Sequence, residues 1–151
     1  MKMKRIFIDF DGVIIDTQYD IERIKVSEYK NLTWEEFSKA YDWNSFYANA
    51  KIINDSINIL KNIKDDNVFI ITKTDSIKEQ EAKLRFLREN GINLSVFFVP
   101  FSLNKSSIIN PNENDYLIDD NQNNISEWTN MGGCGIYFDS TKKLDNLMED
   151  L

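Results

Sequence analysis

Short runs of Ile, Val, Leu, Phe and Tyr punctuate the chain at RIFIDF (5–10), NVFIIT (67–72), LSVFFV (94–99), DYLID (115–119) and GIYF (135–138). Each is of strand length and apolar at consecutive rather than alternate positions, the pattern of a parallel strand covered on both faces. Between the runs, apolar residues recur three or four apart. Ile57, Leu60 and Ile63 do so in NDSINILKNIK, and Leu144, Leu147, Met148 and Leu151 do so in STKKLDNLMEDL. That spacing puts them on one face of a helix. SIKEQEAKLRFLREN opens on Ser76 and Glu79, spaced as a capping box, and ends before Gly91, a residue suited to the left-handed turn that closes a helix. NISEWTNM reads as a further helix after the fourth run. Alternating strands and helices predict an α/β protein, a Rossmann-like three-layer α/β/α core with a central parallel sheet of about five strands.

One segment breaks the alternation. Residues 17–52 separate the first strand from the next core helix, whereas a simple crossover needs only about a dozen residues. The segment reads as helical, with a capping box at Thr33 and Glu36. The expected organisation is therefore a core of residues 1–16 and 53–151 with a small helical cap, 17–52, inserted after the first strand. Tyr19, Tyr29, Trp34, Phe37, Tyr41, Trp43, Phe46 and Tyr47 all fall inside the cap. A small insertion has few ways to build a core except from large side chains, which accounts for most of them. The sharper expectation is that Tyr41, Trp43 or Tyr47 faces the site and stacks on a ring.

Composition narrows the chemistry. The 151 residues include no histidine, which excludes Ser-His-Asp and Cys-His nucleophiles and zinc sites that need an imidazole. The formal net charge of −7 argues against a broad nucleic-acid surface. A single cysteine, Cys134, read as a small core residue, leaves no internal disulfide framework. No stretch approaches the ~20 apolar residues that span a bilayer. The basic start MKMKRIFIDFDG is interrupted by Asp9 and Asp11, unlike a signal peptide. The expectation is a soluble, cytoplasmic monomer or homodimer.

The polar residues then fall in one place. IFI runs into Asp9, with Asp11 two residues on; VFII runs into Thr72, followed by Lys73; YLI runs into Asp119 and Asp120. Each lies at the carboxyl end of a predicted strand, the edge where open parallel sheets bind ligands. Lys105 lies in the loop after the third run, near the start of a short helix, with Lys83 on the preceding helix and Lys73 as alternatives for the same charge. Carboxylates gathered at one edge repel one another, and a hard divalent cation with oxygen ligands removes the repulsion. Asp9 and Asp119 suit direct ligation of Mg²⁺, Asp120 direct or water-mediated ligation, and Asp11 ligation through its backbone carbonyl. Gly12 lets the chain turn away at once. Blander readings exist for each: an Asp-x-Asp can be a solvated turn, Thr72 an ordinary strand residue, and Asp119 and Asp120 the cap of the helix near Asn124.

DFDGV, the hydroxyl in FIITKT, the lysine in LNKSS and LIDDN resemble, in that order, the four motifs of the haloacid dehalogenase (HAD) superfamily. The 17–52 insertion resembles the helical cap of its 5′(3′)-deoxyribonucleotidase group. The resemblance implies a Mg²⁺-dependent phosphomonoester phosphatase acting through an aspartyl-phosphate. Asp9 would be the nucleophile and Asp11 the acid–base, Thr72 would hold the phosphoryl group, and Lys105 would neutralise charge. The implied substrate is a small phosphorylated metabolite such as a nucleoside monophosphate, contacted by Lys73, Tyr41, Trp43 and Tyr47. Non-nucleotide metabolites and nucleic-acid 3′-phosphate ends are alternatives, and a catalytically silent phosphate-binding or regulatory module is an alternative of another class. A phosphorylation-receiver domain fits poorly, because its phosphoacceptor lies on the third strand and it has no cap.

Overall fold

The computed structural model describes residues 3–151; Met1 and Lys2, the first positions of the expected 1–16 core segment and of its basic start, lie outside the described residues. The chain runs β1 (Arg5–Ile8), β2 (Ile15–Asp16), α1 (Gln18–Glu28), α2 (Trp34–Ala40), α3 (Trp43–Ala48), β3 (Lys51–Ile52) and α4 (Ser56–Lys61). It continues through β4 (Val68–Thr74), α5 (Ile77–Glu89), β5 (Ser95–Pro100), α6 (Lys105–Ile109), β6 (Asp115–Asp119), α7 (Gln122–Asn130), β7 (Cys134–Tyr137) and α8 (Leu144–Glu149). The five apolar runs make one parallel sheet in the order β5-β4-β1-β6-β7. β1 is its centre, with Ile8 in register with Ile70 on one side and Ile118 on the other.

Continuous apolarity is explained by burial on both faces. Ile6, Ile8, Val68, Ile70 and Ile118 face one cluster, which Leu60 of α4, Leu87 of α5 and Leu144 of α8 close. Phe7, Ile71 and Leu117 face the other, against Trp128 of α7 and Ile109 of α6. Burying one such side chain fully contributes roughly 1.5–3 kcal/mol, so the sheet is held chiefly from its two flanks. This is the three-layer arrangement expected from the sequence.

β1 ends at Ile8, two residues short of the apolar run. The carbonyl of Phe10 accepts from the N–H groups of Val13, Ile14 and Ile15, and Gly12 takes φ +83°. The chain therefore turns sharply just past the strand. The insertion that follows is entered and left through an antiparallel two-residue ribbon, Ile15 opposite Ile52 and Asp16 opposite Lys51. Strands this short carry no readable period, and the sequence offered no sign of them.

The helices of the insertion do not stand apart from the core. Phe37, Trp43 and Tyr47 are buried in the same cluster as the sheet. Tyr47 stacks on Trp43 at 5.7 Å and meets Phe10 edge-on at 5.5 Å. Most of the aromatics are thus packing residues. The capping box at Thr33 and Glu36 is complete. At Ser76 only half forms: the Ser76 hydroxyl accepts from the Glu79 N–H, but the Glu79 carboxylate instead accepts from the Asp75 N–H and the Ser38 hydroxyl. Gly91, at φ +78°, ends α5 with the Ile92 N–H returning to the Leu87 carbonyl. No helix among the described residues is long and apolar enough to cross a membrane.

Candidate functional site

From β1 the chain moves outward through β4 to β5, then crosses back to β6 and β7 on the other side. The crossover helices change face with it, α4 and α5 covering one side and α6 and α7 the other. Strand order reverses beside β1, and there the carboxyl ends of the strands leave a crevice. Asp9 follows β1, its N–H still bonded to the Ile118 carbonyl at 3.0 Å. Asp119 ends β6, its carbonyl accepting from the Phe138 N–H at 2.8 Å. The sheet ladder itself brings these two acids to one spot.

Lys105, the first residue of α6, joins them. Its Nζ donates to Asp9 Oδ1 at 2.8 Å and to Asp119 Oδ2 at 2.7 Å. Asp119 also accepts from the Asn121 N–H and the Asn124 side-chain amide. Helix α7 is capped by Asn121, whose side chain accepts from the Asn124 N–H, so neither Asp119 nor Asp120 serves as its cap. Asp9, Asp119 and Asp120 each offer a carboxylate oxygen, and these lie within 4.8 Å of one another. Clustered, anionic, all-oxygen donors suit a hard divalent cation. Asp11 contributes no side-chain oxygen to this cluster.

The electrostatics agree with that fit. Burial, then Asp119 and Asp120, holds the Asp9 carboxyl well above the usual range, against the pull of Lys105. Burial pushes Asp120 up to about 6, with Asp119 adding to the effect. Lys105 is fully surrounded by protein, yet Asp9 and Asp119 outweigh its burial and raise it. One ammonium is thus set against three carboxylates, and further positive charge is what the cluster accommodates. Gly12 is required by the same crowding: a Cβ there would stand 1.9 Å from Asp120 Oδ2.

Asp11 is held differently. Its Oδ1 accepts from the Thr17 hydroxyl at 2.6 Å and its Oδ2 from Lys83 Nζ at 2.8 Å. Lys83 also donates to the Thr72 hydroxyl at 2.7 Å and the Lys73 carbonyl at 3.1 Å, and lies 3.4 Å from Glu79 Oε2. The sequence left open which lysine serves the acids, and the fold uses two. Lys105 stands at Asp9 and Asp119, Lys83 at Asp11 and Thr72. Thr72 is 1% exposed and does not line the crevice.

A cavity of about 330 Å³ opens over the acids, lined by Asp9, Asp11, Lys73, Lys105, Asp120 and Asn124 among others. A second, of about 280 Å³, adjoins it under the helical insertion and is walled by Trp34, Phe37, Trp43, Phe46, Tyr47 and Phe101. Asp11, Glu22, Lys73 and Phe101 line both. Trp43 and Tyr47 therefore border the space next to the acids. Tyr41 does not; it lines a separate groove with Asp16 and Arg23. Its ring packs on Phe37 and Trp43, leaving its other side to that groove. Thr17, Ser38, Glu79, Asn124 and Phe101 were not singled out as site residues from sequence. Of these, Glu79 left a trace, four residues before Lys83 on the face of α5 that also carries Ala82 and Leu87.

No family model matches the sequence, and no curated protein matches it. Among solved structures, the HAD domain of the effector protein Lem4 from Legionella pneumophila is similar at a TM-score of 0.57 and 15% sequence identity, covering 99% of this chain and 94% of that chain. An inactive mutant of that domain is similar at a TM-score of 0.53 and 14% identity, with the same coverage. Identity that low carries the architecture alone, and by its architecture this chain has the fold of a HAD domain.

Proposed function

We propose that the chain is a Mg²⁺-dependent phosphomonoester phosphatase that forms an aspartyl-phosphate on Asp9. The observation that carries this reading is the end of β1. There Asp9 is held between Lys105 and the acids Asp119 and Asp120, while a second carboxylate, Asp11, opens on the same cavity. The HAD-domain fold and the ordered motifs support it.

In the first step an Asp9 oxygen bonds to phosphorus as the ester P–O bond breaks, and Asp11 gives a proton to the departing alcohol oxygen. In the second, Asp11 takes a proton from a water whose oxygen bonds to phosphorus, and Asp9 leaves as a carboxylate with inorganic phosphate as product. Lys105 balances charge on Asp9 throughout. Lys73, on the rim of both cavities, meets the anionic substrate. Asp9, Asp119 and Asp120 would hold Mg²⁺, which when bound would supply positive charge to offset that of the phosphoryl group. Positioning and neutralisation of this kind supply most of the catalysis in phosphoryl transfer, and a site without histidine can provide both.

The substrate reading is a small phosphorylated metabolite, foremost a nucleoside monophosphate. The aromatic-walled cavity lies next to the acids, where the leaving alcohol of a bound ester would extend. Its charged lining sets four carboxylates, Asp11, Glu22, Asp75 and Glu79, which in ionised form only accept hydrogen bonds, against the one ammonium of Lys73. Rings carrying N–H donors suit such a lining better than rings presenting carbonyls alone.

Hydrolysis of p-nitrophenyl phosphate with and without Mg²⁺ tests the activity. Asp9→Asn is expected to lower turnover by at least ~10³-fold, and wild-type turnover in that variant would rule out the covalent route. A panel of nucleoside monophosphates and sugar phosphates tests the substrate class; equal rates across both groups would dismiss the nucleotide reading.

A further inference from the structure

Lys83 is a problem for a purely structural account. It is 1% exposed and sits on the face of α5 that otherwise packs Ala82, Phe86 and Leu87 into the core. Enclosing an ammonium costs several kcal/mol unless partners compensate, and an apolar side chain would fill the space without that cost. The compensation here is specific. Nζ meets Asp11 at 2.8 Å and Glu79 at 3.4 Å, and it lies 5.2 Å from the centre of the Phe10 ring.

Glu79 is in turn held from the helical insertion. Its Oε1 accepts from the Ser38 hydroxyl at 2.7 Å and from the Asp75 N–H at 3.1 Å. Ser38, 2% exposed near the end of α2, is a junction of its own. Its hydroxyl shares a 2.7 Å hydrogen bond with the Ser76 hydroxyl, and its carbonyl accepts from Trp43 Nε1 at 2.8 Å. A continuous polar line therefore runs from the insertion through Ser38, Glu79 and Lys83 to Asp11. Ser38, Glu79 and Lys83 are all buried. Polar groups in such surroundings act as a unit, because releasing one leaves the next unpaired.

We propose that Glu79, anchored by Ser38, is a positioning residue that sets Asp11 through Lys83, so that the seat of the helical insertion on α5 determines how the acid–base presents its proton. This rests on the phosphatase reading for its chemistry and on the hydrogen-bond line for its geometry. Asp11 is held at both oxygens, by Thr17 on one side and Lys83 on the other. Loosening Glu79 releases Lys83 from one of its two carboxylates, so that Nζ shifts toward Asp11 and the Asp11 carboxylate it holds moves with it.

Leaving groups separate this role from a structural one. p-Nitrophenolate departs without a proton, whereas an alkoxide needs one from Asp11 in the transition state. The value of kcat/KM covers the step that expels the alcohol. In Glu79→Gln and in Ser38→Ala it is expected to fall ~10-fold or more for an alkyl phosphate and less than ~3-fold for p-nitrophenyl phosphate, a part of the ~10²–10⁴-fold that general acids supply. The double variant is expected to lose no more than the worse single one, since both act on one line. Equal loss for both esters would overturn the proposal, and so would additive losses. A second readout needs no turnover: the ¹³C carboxyl resonance of Asp11, followed by NMR in folded Ser38→Ala and Glu79→Gln, is expected to move in both. A resonance unmoved in both would overturn the coupling. Absence of hydrolysis by the wild type, with the resonance moved, would overturn the phosphatase reading and leave the coupling standing.

Discussion

Gly12 has no room for a side chain and no ordinary backbone for one. Its φ of +83° strains any other residue, and a Cβ would be driven into the Asp120 carboxylate. Gly12→Ala is expected to lower stability by about 1–3 kcal/mol and to weaken Mg²⁺ binding, because the side chain that a Cβ would displace, Asp120, is a proposed ligand. Urea denaturation and a Mg²⁺ titration of the same variant check both halves; a loss of stability with metal affinity unchanged would contradict the second. At this scale the sequence was most informative where a residue violates its surroundings. Asp9 and Asp119 stood out as charges at the tips of apolar runs and Lys105 as a cation in the loop after the third; the sheet ladder brings the two acids together and α6 brings the lysine to them. Lys83 was visible only as a rival to Lys105, because a linear pattern cannot say that two lysines reach different acids. Tyr41 was singled out beside Trp43 and Tyr47 on aromatic character alone. Which side of a short helix faces the crevice depends on its docking, which the sequence does not carry.

Among the elements, β1 and β6 are locked at their starts as well as at their functional ends. Arg5 and Asp115 are register partners and form a two-pronged ion pair, Nε to Oδ1 at 2.7 Å and the second nitrogen to Oδ2 at 2.8 Å. Asp115 accepts from the Asn112 N–H as well, and its carbonyl receives Trp128 Nε1. Burial pushes the Asp115 carboxyl up, but the Arg5 and Asn112 hydrogen bonds outweigh it and leave the group below its ordinary value. A carboxylate lowered by folding contributes stability above the ordinary value of about 3.9, and that contribution fades as pH falls through the lower folded value. Asp115→Asn is therefore expected to destabilise by about 2 kcal/mol at pH 7, moderated because Arg5 is half-exposed, and by much less near pH 3. Thermal melts of both proteins at the two pH values check the sign. Elements were the level at which the sequence read best. All five strands lie within two residues of the apolar runs, since double burial leaves an unbroken apolar stretch. The ribbon of β2 and β3 escaped because two-residue strands of mixed polarity leave no such trace, and half of the box at Ser76 failed because Glu79 is engaged elsewhere.

For the molecule as a whole, the cluster of Asp9, Asp119 and Asp120 is a point of mutual repulsion that the Lys105 ammonium offsets in part. A cation bound to the folded state and not to the unfolded one stabilises by mass action, about 2.7 kcal/mol at a hundredfold excess over Kd. Mg²⁺ is accordingly expected to raise Tm by about 5–10 °C in the wild type and by far less in Asp119→Asn. Calorimetry with Mg²⁺ against Na⁺ at equal ionic strength checks this, and an equal shift in the two proteins would remove the ion from these acids. The continuity of Phe37, Trp43 and Tyr47 with the sheet core bears on how molecules enter. Swinging the insertion outward would strip Tyr47 from the Phe10 and Phe86 rings together. Entry to the acids is therefore expected past Phe101, Lys73 and Asn124 with the insertion in place, so that on the phosphatase reading slim esters would pass and a phosphate borne on a folded protein surface would be stopped outside.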